Sequence, residues 1–418
     1  MVALKLLRIN GVIALFLWAG AVAGQSILRL DSILLVIERQ NPMLAPYETQ
    51  ARALDAYAAG ARAWMAPMAG LGTFMTPYPF QKIEEERDKG ALMLIGEQQI
   101  PNPQKLAARE KYLQSRSPIV RESRGVARNA LFGEARRNYY EWVALEEKLK
   151  VLDDNEQLLV YLKKIAEARY PYNQSGLSSV FKAEGRLYEL DNMRVMIRTE
   201  IEQRNIALNT LMNLSRDFRF SIDASWQVQF QPLDTAFLRV WLPDRRSDLR
   251  QADRSIESMS LGIARQSAEL KPDFALRFEH MTPLGQMPWQ FNLMGMVTFP
   301  IAPWSRRMQD AEIAGMKLDI AAMQQEKNAL LNEAVGMAAQ MRTQIEGMAR
   351  QLENYETKII PNLRKNYDVL LLAYQENRQE LPVVIDGWEA LNMARMEYLD
   401  LKIKRFQMIA AYEQVLQR

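Results

Sequence analysis

The chain has 418 residues, 48% of them hydrophobic and 25% charged, with a formal net charge of +3. That near-neutral balance gives no electrostatic case for a nucleic-acid partner. With no cysteine and a single histidine, His280, the chain cannot build a disulfide framework, a thiolate metal site or a lipidated N-terminal cysteine.

Residues 1–23 read as a secretory signal. Lys5 and Arg8 form a basic start, Gly11–Gly20 is a short apolar segment, and Ala21-Val22-Ala23 is a small-residue cleavage site. The other reading is an uncleaved anchor, for which the apolar run is short. Removing Lys5 and Arg8 leaves a net charge of +1. No later stretch reads as a transmembrane helix, which leaves a periplasmic, secreted or outer-membrane β-barrel protein.

A helical stretch is expected over about 29–63, followed after Pro67 by strand-like runs at about 68–76 and 90–100. The segment 78–89 between them is a charged loop. A long helix over about 104–169 then reaches a polar turn, Tyr170–Leu177, and returns as a helix over about 178–213. After an irregular connector, 214–232, the same order begins again. Helix precedes Pro272, and strands follow at about 273–282 and 289–299. A long helix over about 306–373, a turn Tyr374–Leu381 and a helix over about 383–417 complete it. Landmarks recur at an offset of about 199 to 206: Asp31 and Asp234, Pro67 and Pro272, Met75-Thr76-Pro77 and Met281-Thr282-Pro283, Pro101 and Pro300. Because order and spacing repeat together, the chain is one unit written twice, 24–216 and 217–418.

The second pair of strands carries the functional signal. Phe274, Leu276, Phe278 and His280 alternate with Ala275, Arg277 and Glu279. Trp289, Phe291, Leu293, Val297 and Phe299 alternate with Gln290, Asn292 and Thr298. Alternate side chains of a strand face opposite ways, so each run has an apolar and a polar face. A soluble sandwich strand and an outer-membrane barrel strand both fit, and the aromatic-rich apolar face is the barrel's mark. Four strands are too few to close a barrel, and open edges are costly in lipid, so membrane strands would have to be pooled between chains. In the second long helix, Ile313, Met316, Ile320, Met323 and on through Met337, Ile345, Leu352 and Ile359 mostly step by three and four, a heptad-like seam. Pro118 and Pro361 are expected to break their helices.

The stretch Gln99-Ile100-Pro101-Asn102-Pro103-Gln104-Lys105-Leu106 resembles the strand-to-helix motif of the outer-membrane efflux protein family, the TolC-like exit ducts, and within it the CusC- and CzcC-like heavy-metal branch. Gln104 stands where that branch usually has Gly. Phe299-Pro300-Ile301, leading to Arg306-Arg307 and Ala311-Glu312-Ile313-Ala314, resembles its second-copy counterpart. Tyr374 and Asp386 resemble the family's spacing of Tyr and Asp at the pore tip. Asn377 takes the place of a usual Gly and Val383 that of a usual acid, so a gate carried over from the family is partly altered.

The resemblance implies a mainly α fold with a β-barrel contribution: a homotrimer with a twelve-stranded barrel in the outer membrane of a Gram-negative bacterium, continued into the periplasm by an α-helical barrel. It implies a passive duct docked on a periplasmic adaptor (membrane fusion) protein and an inner-membrane pump of the RND type, with no cofactor and no nucleic-acid partner. Under it, Tyr170, Tyr374, Glu376, Glu380 and Asp386 stand at the pore tip, Gly176, Leu177 and Leu381 at the adaptor docking surface, and Arg277 and Glu279 in the barrel lumen. The acids at the tip could ring an opening and favour cations, or could be a solvated turn and helix start.

The 23 methionines fit either soft-ion ligands or seam packing; most sit at heptad spacing, and Met294 and Met296 on a polar strand face are the exceptions. The residue inventory offers no Ser-His-Asp arrangement, zinc motif or Walker loop, so the chain reads as a non-enzyme. A periplasmic coiled-coil structural protein would explain the helices but not the matched strand pairs, and a duct for protein secretion shares the same fold.

Overall fold

The computed structural model describes residues 27–172, 176–223, 225, 228–300 and 302–418. The leader at 1–23 and Asn173-Gln174-Ser175 of the first turn lie outside the described residues. In chain order the elements are strand β1 (Ile27–Leu28), helices α1 (Leu30–Gln40) and α2 (Ala45–Ala59), strands β2 (Met68–Phe74) and β3 (Ala91–Ile100), helices α3 (Pro103–Gln114), α4 (Arg116–Arg169) and α5 (Leu177–Met212), and strand β4 (Ser221–Ile222). Helices α6 (Thr235–Arg245) and α7 (Ser247–Ala268), strands β5 (Asp273–Pro283) and β6 (Gln290–Thr298), and helices α8 (Pro303–Asn354), α9 (Ile360–Gln375) and α10 (Leu381–Leu416) follow. The order helix, strand, strand, long helix, turn, helix therefore occurs twice, and the strand and helix ends lie within a few residues of those expected.

The residues divide into two compact units, each drawing on both sequence copies. One, helical, takes the segment ending at Asn41 with Leu131–Pro232 and Gln340–Gln414. The other, which carries the sheet, takes Pro42–Ala130, Leu233–Ala339 and Val415–Arg418.

In the helical unit, buried residues recur every seven positions. Leu145, Leu152, Leu159 and Ala166 do so on α4, Ala183, Leu190 and Ile197 on α5, and Tyr367, Tyr374, Leu381 and Trp388 across α9 and α10; all belong to one core cluster. A seven-residue apolar repeat keeps one seam facing its neighbours, as in coiled coils. The seam expected on α8 is present too: Ala334, Ile345 and Leu352 are buried, while Leu330 is exposed.

Helix ends follow local chemistry. Asn213 and Asn377 adopt left-handed φ of 56° and 58° after α5 and α9. In each case the next amide reaches back five residues, Leu214 to the Asn209 carbonyl and Arg378 to the Ala373 carbonyl. That is a Schellman closure with Asn in the position Gly usually takes. Pro361 marks only a local irregularity in a continuing helix: it has no amide to donate, and a π turn over Tyr355–Ile359 precedes it. Pro118 does not break its helix either. It lies in the first turn of α4, where the missing amide had no partner to lose, and the break falls earlier, at Ser115. The connector 214–232 is not wholly irregular, because β4 pairs in parallel with β1.

The sheet-bearing unit holds one four-stranded antiparallel sheet in the order β2-β3-β5-β6, with β2 and β6 as its edges. Gly90, entering β3, has φ of 77°, and a Cβ there would stand 2.7 Å from the Cα of Thr76, so only glycine fits. Among the described residues, no helix is long and apolar enough to cross a membrane.

Candidate functional site

Residues opposite one another in an antiparallel ladder share a face, so the register sorts the whole sheet. On one face Leu71 pairs with Leu94, Leu94 with His280, and His280 with Phe291; Phe278 pairs with Leu293, and Phe274 with Val297. This apolar face is exposed, with Leu71 76% and Phe291 71% accessible. The Phe278 and Phe291 rings stack at 6.2 Å, and His280 meets Trp289 edge-on at 5.5 Å. His280 thus belongs to an aromatic cluster at the strand ends, hydrogen-bonded to the Thr282 hydroxyl at 3.4 Å.

The opposite face is polar. Arg277 pairs in register with Glu97, and Glu279 with Asn292. The Arg277 guanidinium lies 2.7 Å from Glu279 and 3.9 Å from Glu97, and the Asn292 amide donates to Glu279 at 3.3 Å. Arg277 and Glu279, expected to point the same way, form one network with Glu97. Glu279 is only 7% exposed, and burial of a carboxylate is tolerated because a cation and an amide face it.

At the base of β3 the Asn-Pro motif works mechanically. Asn102 caps α3, its side-chain oxygen accepting from the Gln104 amide at 2.9 Å, and Pro103 follows in the first helical turn. The Asn102 side chain also donates to the Pro272 carbonyl at 3.0 Å. Lys105 pairs with Asp273 at 2.5 Å and Glu269 at 3.5 Å. One helix start from the first copy is thereby tied to the strand start of the second.

In the helical unit the two turns stand together. Tyr170, Gly176, Glu380, Leu381 and Asn377 line a common open cleft of about 1010 Å³. Arg169 clamps the second turn: its guanidinium lies over the Tyr374 ring at 4.6 Å and donates to the carbonyls of Tyr374 at 2.7 Å and Gln375 at 2.9 Å. Asp386 pairs with Lys182 on α5 at 2.5 Å, and Glu376 lies 3.3 Å from Arg378. Of the three acids expected at the tip, two therefore face a cation of the same chain, and Glu380 is exposed on the cleft.

The equivalent Tyr and Leu of the two turns differ. Tyr170 and Leu177 are 47% and 45% exposed, whereas Tyr374 and Leu381 are buried at 2% and 1%. Leu381 packs in the core beside the cleft, whereas Gly176 and Leu177 are accessible. Sequence reasoning missed Arg169, Glu97 and the pairing of Lys182 with Asp386. The last had a signal: Lys182 stands 204 before Asp386, the offset relating Tyr170 to Tyr374, so the two stand at matched heights on neighbouring return helices.

Long helices with seven-residue buried seams, and a small sheet with one apolar and one charged face, define a fold, that of outer-membrane channels. Among solved structures, the outer-membrane channel OprN matches 93% of this chain over 89% of its own, with a TM-score of 0.71 at 15% identity. CusC, solved in connection with transmembrane channel formation, matches 92% over 91% of its own chain, with a TM-score of 0.71 at 12% identity. The MtrE outer-membrane channel of Neisseria gonorrhoeae, in its open state, matches 93% over 88%, with a TM-score of 0.69 at 14% identity. These proteins are channels rather than enzymes, and at such identities the likeness is one of fold. No family model matches the sequence, and no curated protein does.

Proposed function

We propose that this chain is one protomer of a TolC-like outer-membrane efflux duct, a non-enzymatic exit route for metal ions or small toxic compounds. The observation that carries the reading is the sheet. It has an exposed aromatic and aliphatic face, a charged opposite face and two open edges. An apolar face of this size suits lipid, and open edges cannot stay in lipid because each unpaired backbone group costs several kcal/mol. The edges β2 and β6 of successive chains would pair, and three chains would close a twelve-stranded barrel with Glu97, Arg277 and Glu279 in its lumen. The duplicated unit, 24–216 and 217–418, then supplies two hairpins per chain to a periplasmic tip at which Tyr170, Tyr374, Glu376, Glu380 and Asp386 stand. Gly176 and Leu177 are the exposed part of an adaptor docking surface. An inner-membrane pump of the RND type would deliver the cargo, and residues 1–23 would direct export. The Gln99–Leu106 motif supports the heavy-metal branch.

The test is direct. Expressed with its leader, the protein is expected to fractionate with outer membranes, to extract in mild detergent as a trimer, and to conduct in planar bilayers. A water-soluble monomer after removal of the leader overturns the reading. Deleting the gene and challenging cells with a panel of metals and hydrophobic drugs identifies the cargo.

A further inference from the structure

In the helical unit, α4, α5 and the start of β4 line a cavity of about 320 Å³. Its α5 wall is set by spacing. Arg198, Ile201, Glu202 and Asn205 follow one another at helical steps of three and four, so they share one face. Trp142 and Glu146, one turn apart on α4, form a second wall, and Phe220 closes the side toward β4. Trp142 and Phe220 are each 3% exposed, and their rings meet at 5.2 Å, which makes that side apolar. A volume at the lower end of the range for ligand pockets suits a small molecule.

Three polar groups of the lining lack the partner their chemistry calls for. The first is the Asn205 amide. Asn209 donates to the Asn205 side-chain oxygen at 3.1 Å and to the Phe218 carbonyl at 2.7 Å. Both hydrogens of the Asn209 amide are thereby used, and the Asn205 amide is held one way round. Its nitrogen is left without a hydrogen-bond partner among the described residues, although Asn205 is only 3% exposed. A buried donor with no acceptor destabilises the fold that holds it, so its presence on a cavity wall calls for an acceptor from outside the chain. The second is Arg198, which has no hydrogen bond or ion pair among the described residues. The third is Glu146. It accepts the Trp142 indole N–H at 2.9 Å and faces no cation among the described residues. The remaining charged residues, Arg219 and Glu202, satisfy each other at 2.6 Å.

We propose that this cavity binds a small zwitterion with an apolar side group, an α-amino acid or the end of a short peptide. The ligand carboxylate pairs with Arg198, whose planar fork matches two oxygens, and accepts from the Asn205 amide. The ligand ammonium pairs with Glu146, and the side group lies against the Trp142 and Phe220 rings. A simple anion would leave Glu146 unmatched, and a simple cation would leave Arg198 and Asn205 unmatched. A ligand carrying both charges satisfies all three. The site uses no residue of the four-stranded sheet or of the two turns, and it does not depend on the duct reading.

The experiment uses the full-length protein in detergent, with L-phenylalanine and the dipeptide glycyl-L-phenylalanine as probes in titration calorimetry. Saturable binding of at least one probe is expected. Phenylalaninamide, which lacks the carboxylate, and N-acetylphenylalanine, which lacks the ammonium, are each expected to bind at least about tenfold more weakly. Arg198→Gln and Glu146→Gln are expected to weaken the bound probe by the same factor. Arg198 is exposed, and glutamine at position 146 keeps an acceptor for the Trp142 indole, so both variants should keep the wild-type melting temperature. Tighter binding of the dipeptide would assign the site to a peptide end, and tighter binding of phenylalanine to a free amino acid; either supports the proposal. Wild type that binds neither probe overturns it. So does an amide or N-acetyl analogue bound as tightly as the zwitterion, or binding undiminished in a folded variant. None of these outcomes bears on the duct reading.

Discussion

Asn102 does two jobs with one side chain, capping α3 and bridging to the Pro272 carbonyl. Asn102→Ala removes both and is expected to cost at least the 0.5 to about 2 kcal/mol of a lost cap, read as a lower melting temperature. Asn102→Asp keeps the cap acceptor but cannot donate, so it should fall between the two. An aspartate variant as unstable as alanine would show that the bridge, not the cap, matters. Tyr367 offers the opposite case. Its ring is buried in the core, its hydroxyl has no hydrogen-bond partner among the described residues, and burial pushes the phenol up to about 12. Tyr367→Phe is therefore expected to leave stability unchanged or raise it by about 1 kcal/mol, and a marked loss would reveal an unrecognised partner. At this scale the sequence was readable where one residue type has one backbone use. Asn377 was expected to tolerate a left-handed turn and adopts one. The partners of Lys182, Arg169 and Glu97 were not readable, because long-range pairs depend on how helices and strands are placed side by side.

For the strands, alternation was sufficient. The parity that placed Phe291 and Leu293 opposite Asn292 is the parity of the folded sheet, since a period of two allows no other assignment. Phe291→Arg or Leu293→Arg is expected to block membrane insertion, at about 2–4 kcal/mol for an arginine near mid-bilayer on a barrel's outer wall. Asn292→Arg should insert normally. Measured by yield in the outer-membrane fraction, equal damage from both would mean that the apolar face does not meet lipid. The helical seams were legible for the same periodic reason. The pair β1 and β4 was not, because two residues give no period and their parallel partners lie far apart in sequence.

For the assembly, the ion pair between Lys182 and Asp386 changes what a charge at the tip can do. The pair is partly exposed, and such pairs contribute about 0–1 kcal/mol, so removing either partner should leave stability nearly unchanged. In the duct proposed above its electrostatic effect would exceed its energetic one, because three copies would stand around one opening. Asp386→Asn leaves Lys182 unpaired and is expected to shift the reversal potential of single channels toward anions. Lys182→Gln is expected to shift it toward cations, and the double variant to lie near wild type. Selectivity unmoved by both single variants would place the pair away from the ion path.

The clamp made by Arg169 is one-sided. Its donor is a side chain, but its two acceptors are main-chain carbonyls, of Tyr374 and Gln375. A carbonyl is present whatever residue occupies the position, so these two hydrogen bonds, unlike the contact with the Tyr374 ring, can be lost by mutation from one side only. In a saturation library scored for export, position 375 should accept most residues, whereas position 169 should accept almost none, lysine included, because an ammonium lacks the planar fork that reaches two adjacent carbonyls at once. The second turn can thus vary in sequence while a single codon preserves the hold between the two turns.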